Sequence, residues 1–461
     1  MHSQFISFCK NTNLILVIDH AGRSGNNFFL SIFDQHPQIL SCPWLHYTYS
    51  YFLHIFGEQE KILSTKAVAH WTEQRYFALV YQELNENREA LIRKMGSDPQ
   101  ANIDRHLVRD VFDQIIGSEK TISRQKLILA TYFAFALGTG RDPAKIRYIL
   151  LSDSISLRNE NFFSGYSGKI LDAANKDFPE ARLIHLVRDP RAGFASSNHQ
   201  FINQLGNMYG LHWGNACSRI QKIARLEFDW EQIFIFGFWL MYFRQTYEAI
   251  MRKKEEYPQL FLTIKNEDLN LDFCRSMRKL SESLNVDYLQ DWDANESFQP
   301  THLGKIWRGT GAYNSNYCPG TRLENESEEK SRACAGPNRH VTERWKKRLK
   351  KHEIRLIEKF LQPEFASFDY PLLATSGKTK WHWLLDLFRP LEGELPSLTW
   401  LKKGKQAGNC VFWDRLFFCA VCPFYFFLVR IAFLCVVYKT NVFRGDSFVL
   451  APKTKNTARK Q

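Results

Sequence analysis

Short apolar runs bounded by turn residues recur along the chain and alternate with longer stretches of helical period. Asn13-Leu-Ile-Leu-Val-Ile18 is the first. It is β-branched, a glycine-rich turn follows at once, and it reads as a strand buried on both faces. Ile146 to Leu151, Arg182 to Val187 (entered through Phe178-Pro179) and Gln259 to Ile264 read the same way. Between them lie helical stretches such as Glu231 to Lys253, whose apolar run from Ile233 to Phe243 is too short to span a bilayer. Strands alternating with helices predict an α/β domain with a central parallel sheet flanked by helices on both faces. Thr342 to Leu361 predicts an amphipathic helix, with Trp345, Leu349, Leu356, Ile357 and Phe360 on one side and Lys346, Lys347, Lys350 and Lys351 on the others. Those lysines form either a solvated face or an anion-binding face beside a site.

The texture changes after Leu372. Residues 1–372 carry the alternating pattern, 373–410 mix Gly, Pro, Lys and Trp as a linker does, 411–438 are strongly apolar, and 439–461 form a basic tail. Leu416 to Tyr438 is long enough to cross a bilayer, although Pro423 would kink a helix and Arg430 interrupts the apolar run. An arginine at mid-membrane costs on the order of 3 kcal/mol on insertion scales, which several Phe and Leu residues offset. Three readings stand: a membrane span, an interfacial helix, or a buried hairpin. No N-terminal secretory signal is visible, so the segment points either to membrane association or to the cytoplasm.

Composition narrows the classes. The chain has 461 residues, 61 Lys and Arg against 48 Asp and Glu, and a net charge of +13. From Leu373 onward there are 14 basic and 5 acidic residues, so +9 of that charge lies in the last fifth of the chain. The basic character belongs mostly to the tail, which argues against a nucleic-acid-binding core. The ten cysteines show no metal-ligand spacing, and the single Cys419-x-x-Cys422 lies inside the apolar run, where neither zinc nor redox chemistry is expected.

Two segments carry chemistry. The first is Ile18-Asp-His-Ala-Gly-Arg-Ser-Gly-Asn-Asn-Phe28, between a strand and a helix. Gly22 and Gly25 permit a tight turn, and N–H groups exposed there with Arg23 suit a phosphate or sulfate. The loop lacks the lysine and hydroxyl of a Walker A sequence, which disfavours magnesium-dependent nucleotide chemistry. The second is Leu183-Ile-His-Leu-Val-Arg-Asp-Pro-Arg-Ala-Gly-Phe-Ala-Ser-Ser197. Arg188 would sit at a strand's carboxyl end and Ser196 on the next helix, so both can converge on one anion.

In this order, with Arg23 and Arg188 165 positions apart, the two segments resemble the sulfotransferase superfamily, in particular its carbohydrate-sulfotransferase-like branch. His36-Pro-Gln-Ile-Leu40, Phe178 to Val187, Ile264-Lys-Asn-Glu-Asp-Leu269, Pro300-Thr-His-Leu-Gly-Lys-Ile-Trp307 and Arg344-Trp345 extend the likeness over roughly residues 13–372. The resemblance implies a P-loop-like three-layer fold and 3′-phosphoadenosine 5′-phosphosulfate (PAPS) as sulfuryl donor, with no metal. It implies that Arg23, Ser24, Gly25, Asn26, Asn27 and Phe28 hold the 5′-phosphosulfate and that Arg188 and Ser196 hold the 3′-phosphate. Arg23 would also steady charge during transfer. The acceptor implied is a hydroxyl, first of all that of a carbohydrate.

Two departures bear on catalysis. Asn26 and Asn27 stand where the family usually has hydroxyl residues, and Cys42 stands before Pro43 where many members have an acidic residue. His46 is then the first candidate general base, with His20 and Glu160 behind it. If the segment were helical, Cys42 and His46 would share a face. With an ordinary imidazole, turnover would fall below about pH 6.5. Two rivals remain: a P-loop-like phosphotransferase, and a non-catalytic PAPS-binding relative tethered to a membrane.

Overall fold

A computed structural model of the chain describes residues 1–20, 22–154, 166–205, 235–309, 336–373, 382–391 and 412–440. Its strands, in chain order, are β1 (Asn13–Asp19), β2 (Ile39–His46), β3 (Lys61–Leu63), β4 (Thr121–Ser123), β5 (Tyr148–Ser154), β6 (Arg182–Val187), β7 (Phe261–Lys265), β8 (Thr301–His302) and β9 (Lys305–Ile306). Five of them form one parallel sheet in the order β2-β5-β1-β6-β7. Side-chain alternation splits this sheet's residues between two cores. Leu14, Leu16 and Ile18 of β1 turn to one side, against Phe5, Phe8, Phe52 and Phe133 from the helices His2–Asn11, Thr48–Phe56 and Arg124–Gly138. Ile15 and Val17 turn to the other, against Phe29, Met277 and Leu280 from the helices Asn26–Ile32 and Phe273–Leu284. The three layers expected of an α/β domain follow from this division.

β1 and β6 lie where the apolar runs place them. β5 and β7 each begin two residues later than expected, because Pro143–Lys145 and Pro258–Leu260 form short 3-10 turns ahead of them. β2 overturns the helical reading of residues 42–46. All eight of its residues are buried, and its pairing with β5 shifts between Ser41 and His46, where Pro43 has no N–H to offer. Cys42 and His46 therefore share no helical face. The helix expected over Thr342 to Leu361 is broken into Arg339–Glu343, Trp345–Arg348 and Lys351–Phe360, with Leu349 and Lys350 extended between the last two. Its apolar side holds nonetheless: Trp345, Leu349, Leu356, Ile357 and Phe360 are buried in one cluster, and the four lysines are exposed.

That cluster also receives the helix Phe412–Thr440 through Val429 and Phe433, and the helix His382–Leu387 through Leu387. Asp386 fixes the latter by accepting from Arg355 Nε and Nη2 at 2.6 and 2.7 Å. Arg430 turns inward and donates from Nε to the Leu387 carbonyl at 2.9 Å. Among the described residues, no helix is long and apolar enough to cross a membrane. Of the linker read at 373–410, residues 382–391 instead include the helix His382–Leu387, while 374–381 and 392–410 lie outside the described residues; so does the basic tail of 439–461 from residue 441 onward.

A buried ion pair joins the long helix Ile235–Glu256 to Gln362–Ser367: Arg244 Nη2 donates to Glu364 Oε2 at 2.9 Å and to the Phe360 carbonyl at 2.6 Å. Burial pushes the Glu364 carboxyl up, and the guanidinium pulls it back. Glu364→Ala removes the counter-charge from a buried arginine. It should lower stability by roughly 3–5 kcal/mol, seen as a lower urea midpoint at unchanged slope.

Candidate functional site

The carboxyl ends of the five parallel strands lie along one edge of the sheet, and the loops leaving them carry the polar residues singled out above. β1 is central; the chain goes from it to β2 on one side and comes to β6 on the other. Such a reversal opens a crevice at the strand ends. The loop after β1 has positive φ at Gly22 (74°), Arg23 (63°) and Gly25 (102°). Gly25 is required twice over. Its φ is left-handed, and a Cβ there would stand 2.1 Å from Asn266 Nδ2, the first residue of the helix after β7. The helix Asn26–Ile32 starts directly behind it with no side-chain cap, and Phe28 stacks on Trp307.

Arg23, Arg188 and Ser196 meet. Arg23 Nε donates to Ser196 Oγ at 3.1 Å, and Arg188 Nη1 donates to the Arg23 carbonyl at 2.7 Å. Arg188 Nη2 donates to the Val341 carbonyl at 3.0 Å, and its Nε is buried with no hydrogen-bond partner. Asn26 Oδ1, Ser197 Oγ and Asn198 Oδ1 are also buried without one. Buried polar atoms left unpaired cost stability, and a polar ligand is one way to satisfy such atoms.

Two further arginines enter the same charge field. Burial lowers the proton affinity of Arg344 well below the usual guanidinium range, and the charges of Arg348, Arg188 and Arg23 add to that. Arg23 is pushed down to about 10 by burial and by Arg188, while Tyr47 and Asp19 act in the opposite direction. Nearby carboxylates have further partners of their own. Asp189 holds Arg191 through Oδ1 and Oδ2, and Glu267 accepts from the Asp189 N–H at 3.0 Å and the Tyr370 hydroxyl at 2.7 Å. Glu267 and Asp189 still favour the charged form of Arg188 against its burial, so the corner combines several guanidinium groups with partial carboxylate compensation, a setting that suits an anion. Arg344 and Arg348 were not in the expected set. Their four-residue spacing was the available signal, masked by the lysines around them.

The candidate bases fare differently. His46 ends β2, buried, its ring against Tyr47 and Tyr76. Burial pulls its pKa down to about 4, opposed by the Pro43 carbonyl, so the turn in rate expected near pH 6.5 moves to about pH 4. Cys42 is buried in the core, and burial pushes its thiol far up. His20 is enclosed: its Nε2 lies 2.5 Å from His185 Nε2, its ring lies among Phe243, Tyr247 and Phe368, and burial pulls it down to about 3. Glu160 lies outside the described residues. Asp153, at the end of β5, was not singled out. It accepts from the Tyr49 and Ser50 N–H groups at 2.7 and 3.3 Å and from the Ser50 hydroxyl. Burial pushes it up to about 7 against those bonds. By holding the start of the helix Thr48–Phe56, it fixes Tyr47, which has a left-handed φ of 64°. Among the described residues no group of His, Cys, Asp and Glu is arranged to hold a metal ion.

No known family's sequence profile matches the chain, and no curated protein matches it. Comparison with solved structures finds similarity to a sulfotransferase domain from the curacin biosynthetic pathway, at 16% identity over 78% of this chain and 99% of that one, with a TM-score of 0.40. A sulfotransferase domain from the Synechococcus PCC 7002 olefin synthase matches at 16% identity, 78% and 96% coverage and a TM-score of 0.36. The sulfotransferase STF9 from Mycobacterium avium matches at 15% identity, 61% and 66% coverage and a TM-score of 0.29. With identities and TM-scores this low, none of the three bears on what this chain binds.

A neutral buried His46 has a consequence for stability. Its folded pKa of about 4 lies below the unfolded value near 6.5, so the unfolded state takes up the proton first as pH falls. Stability is then lost between those two values, by about 1.4 kcal/mol per pH unit for one such group. Urea titrations across this window should show a shallower pH dependence for His46→Gln than for the natural chain.

Proposed function

We propose that the protein is a PAPS-dependent sulfotransferase. The observation that carries this reading is the meeting of Arg23, Arg188 and Ser196, with Arg344 and Arg348 in the same field, across the carboxyl ends of β1 and β6. A donor with phosphate groups at both the 5′ and 3′ positions needs two anion-binding regions close together, and paired guanidinium groups supply charge-assisted hydrogen bonds to each. Arg23 and the N–H groups of residues 24–28 would take the phosphosulfate. Arg188 would take the 3′-phosphate beside Ser196.

In the transfer, an acceptor hydroxyl oxygen bonds to sulfur as the bond from sulfur to the 5′-phosphate oxygen breaks. The hydroxyl proton passes to the base, and adenosine 3′,5′-bisphosphate leaves. Arg23 steadies the charge gathering on the leaving oxygen. His46 is neutral at ordinary pH and so able to accept a proton. The acceptor proposed is a carbohydrate hydroxyl, with the half-buried rings of Tyr47, Tyr51 and Tyr76 as the apolar surface for a sugar ring.

Calorimetric titration should show tighter binding of adenosine 3′,5′-bisphosphate than of adenosine 5′-monophosphate. Arg188→Ala should weaken the bisphosphate by about ten- to a hundredfold and leave the monophosphate nearly unchanged. Equal affinities in the natural chain would overturn the assignment. His46→Ala should lower turnover tenfold or more, on the scale of about 10² expected for general-base catalysis, without changing donor affinity. The natural chain should keep its rate as pH falls through 6.5, since this imidazole titrates at about 4. Donor binding with no transfer to any sugar acceptor would favour a non-catalytic binding protein.

A further inference from the structure

The helix Phe412–Thr440 has two unlike faces. Phe426, Val429, Arg430 and Phe433 are buried on one, at 3% exposure or less. On the other, Leu416, Phe424, Phe427, Leu428, Ile431 and Tyr438 are 40, 71, 51, 39, 54 and 75% exposed. These six fall at helical spacing and form one stripe along the helix. At 1.5 Å per residue the helix is about 43 Å long. Its one arginine in this region does not interrupt the stripe, because Arg430 is buried against the domain, with its guanidinium 4.2 Å from the Phe426 ring centre. A continuous stripe of exposed phenylalanine and aliphatic side chains marks an interaction surface.

The sequence on either side says what kind. Lys402, Lys403 and Lys405 precede the helix. Lys439, Arg444, Lys453, Lys455, Arg459 and Lys460 close and follow it, with Asp446 the only acidic residue from 439 onward. Two copies meeting through the stripe would bring these like charges together, whereas an anionic surface complements them. Crossing a bilayer would require Arg430 to leave the Leu387 carbonyl and Val429 and Phe433 to leave the core they fill. We infer that the stripe beds into the headgroup region of an anionic lipid membrane. The helix lies in the membrane plane, its inner face stays on the domain and its basic flanks contact lipid headgroups. Tyr438, at one end of the stripe, suits the boundary between headgroups and acyl chains.

The test is co-sedimentation of the full chain with phosphatidylcholine vesicles, with and without phosphatidylserine. The natural chain should pellet with the vesicles containing phosphatidylserine and less so as salt is raised. The double variant Phe424→Glu, Ile431→Glu should bind more weakly, by about tenfold or more, since it places two charges on the lipid-facing side. Its circular dichroism and urea midpoint should match the natural chain, because neither side chain is buried in the core. No binding to phosphatidylserine vesicles, or equal binding by the variant, overturns the inference. So does a dimer in sedimentation velocity that the double variant abolishes while neither form binds vesicles; a second copy would then cover the stripe.

Discussion

Four guanidinium groups share one corner of this molecule, and like charges gathered at that density do not stay together unless the fold holds them. Arg23 comes from the loop after β1, Arg188 from the end of β6, and Arg344 and Arg348 from the broken helix after residue 338. They are held partly by neutral oxygens: the Ser196 hydroxyl for Arg23 and two main-chain carbonyls for Arg188. Carbonyls orient a guanidinium without cancelling its charge. The parallel order of β1 and β6, the left-handed turn at Gly25 and the packing of Asn266 against it all serve to bring these donors to one edge. The carboxylates within reach are shared: Asp189 also holds Arg191 and Glu267 also accepts from Tyr370, while both favour the charged form of Arg188.

Much of this was legible in the sequence, and the rest failed for identifiable reasons. β1 and β6 are short, β-branched and closed by turn residues, so their limits could be read to within a residue. β2 could not, because it is buried on both faces, contains a proline and leads straight into aromatic residues that carry a helical period of their own. Without alternation a buried strand resembles a piece of buried helix. The amphipathic pattern after Thr342 gave the buried side correctly even though the helix itself breaks at Leu349, since burial follows the side chains more than the hydrogen bonding. Arg344 and Arg348 were hidden among exposed lysines: spacing tells which residues share a face, and only packing tells which face turns inward.

The proton-transfer residues show the same limit more sharply. An imidazole reads from sequence as a group titrating near neutrality, yet His20, His46, His185 and His302 are all buried and all shifted downward by loss of water. Asp153 runs the other way, a carboxyl that burial lifts to about 7 at the end of the strand beside β2. Nothing in the run Tyr-Ile-Leu-Leu-Ser-Asp-Ser distinguishes this aspartate from a turn residue. Its environment is made by Tyr49 and Ser50, a hundred positions away.

Arg430 has a role beyond its own contacts. A helix that rotates by one residue turns through about 100°, enough to exchange an inner face for a flank. With its guanidinium fastened to the Leu387 carbonyl and laid over Phe426, position 430 fixes the angle at which the whole helix Phe412–Thr440 is presented. The composition of the outer surface is thus decided by a residue that is not part of it. Substitutions at 430 and on the outer face would therefore be energetically coupled without touching, and their effects would not add.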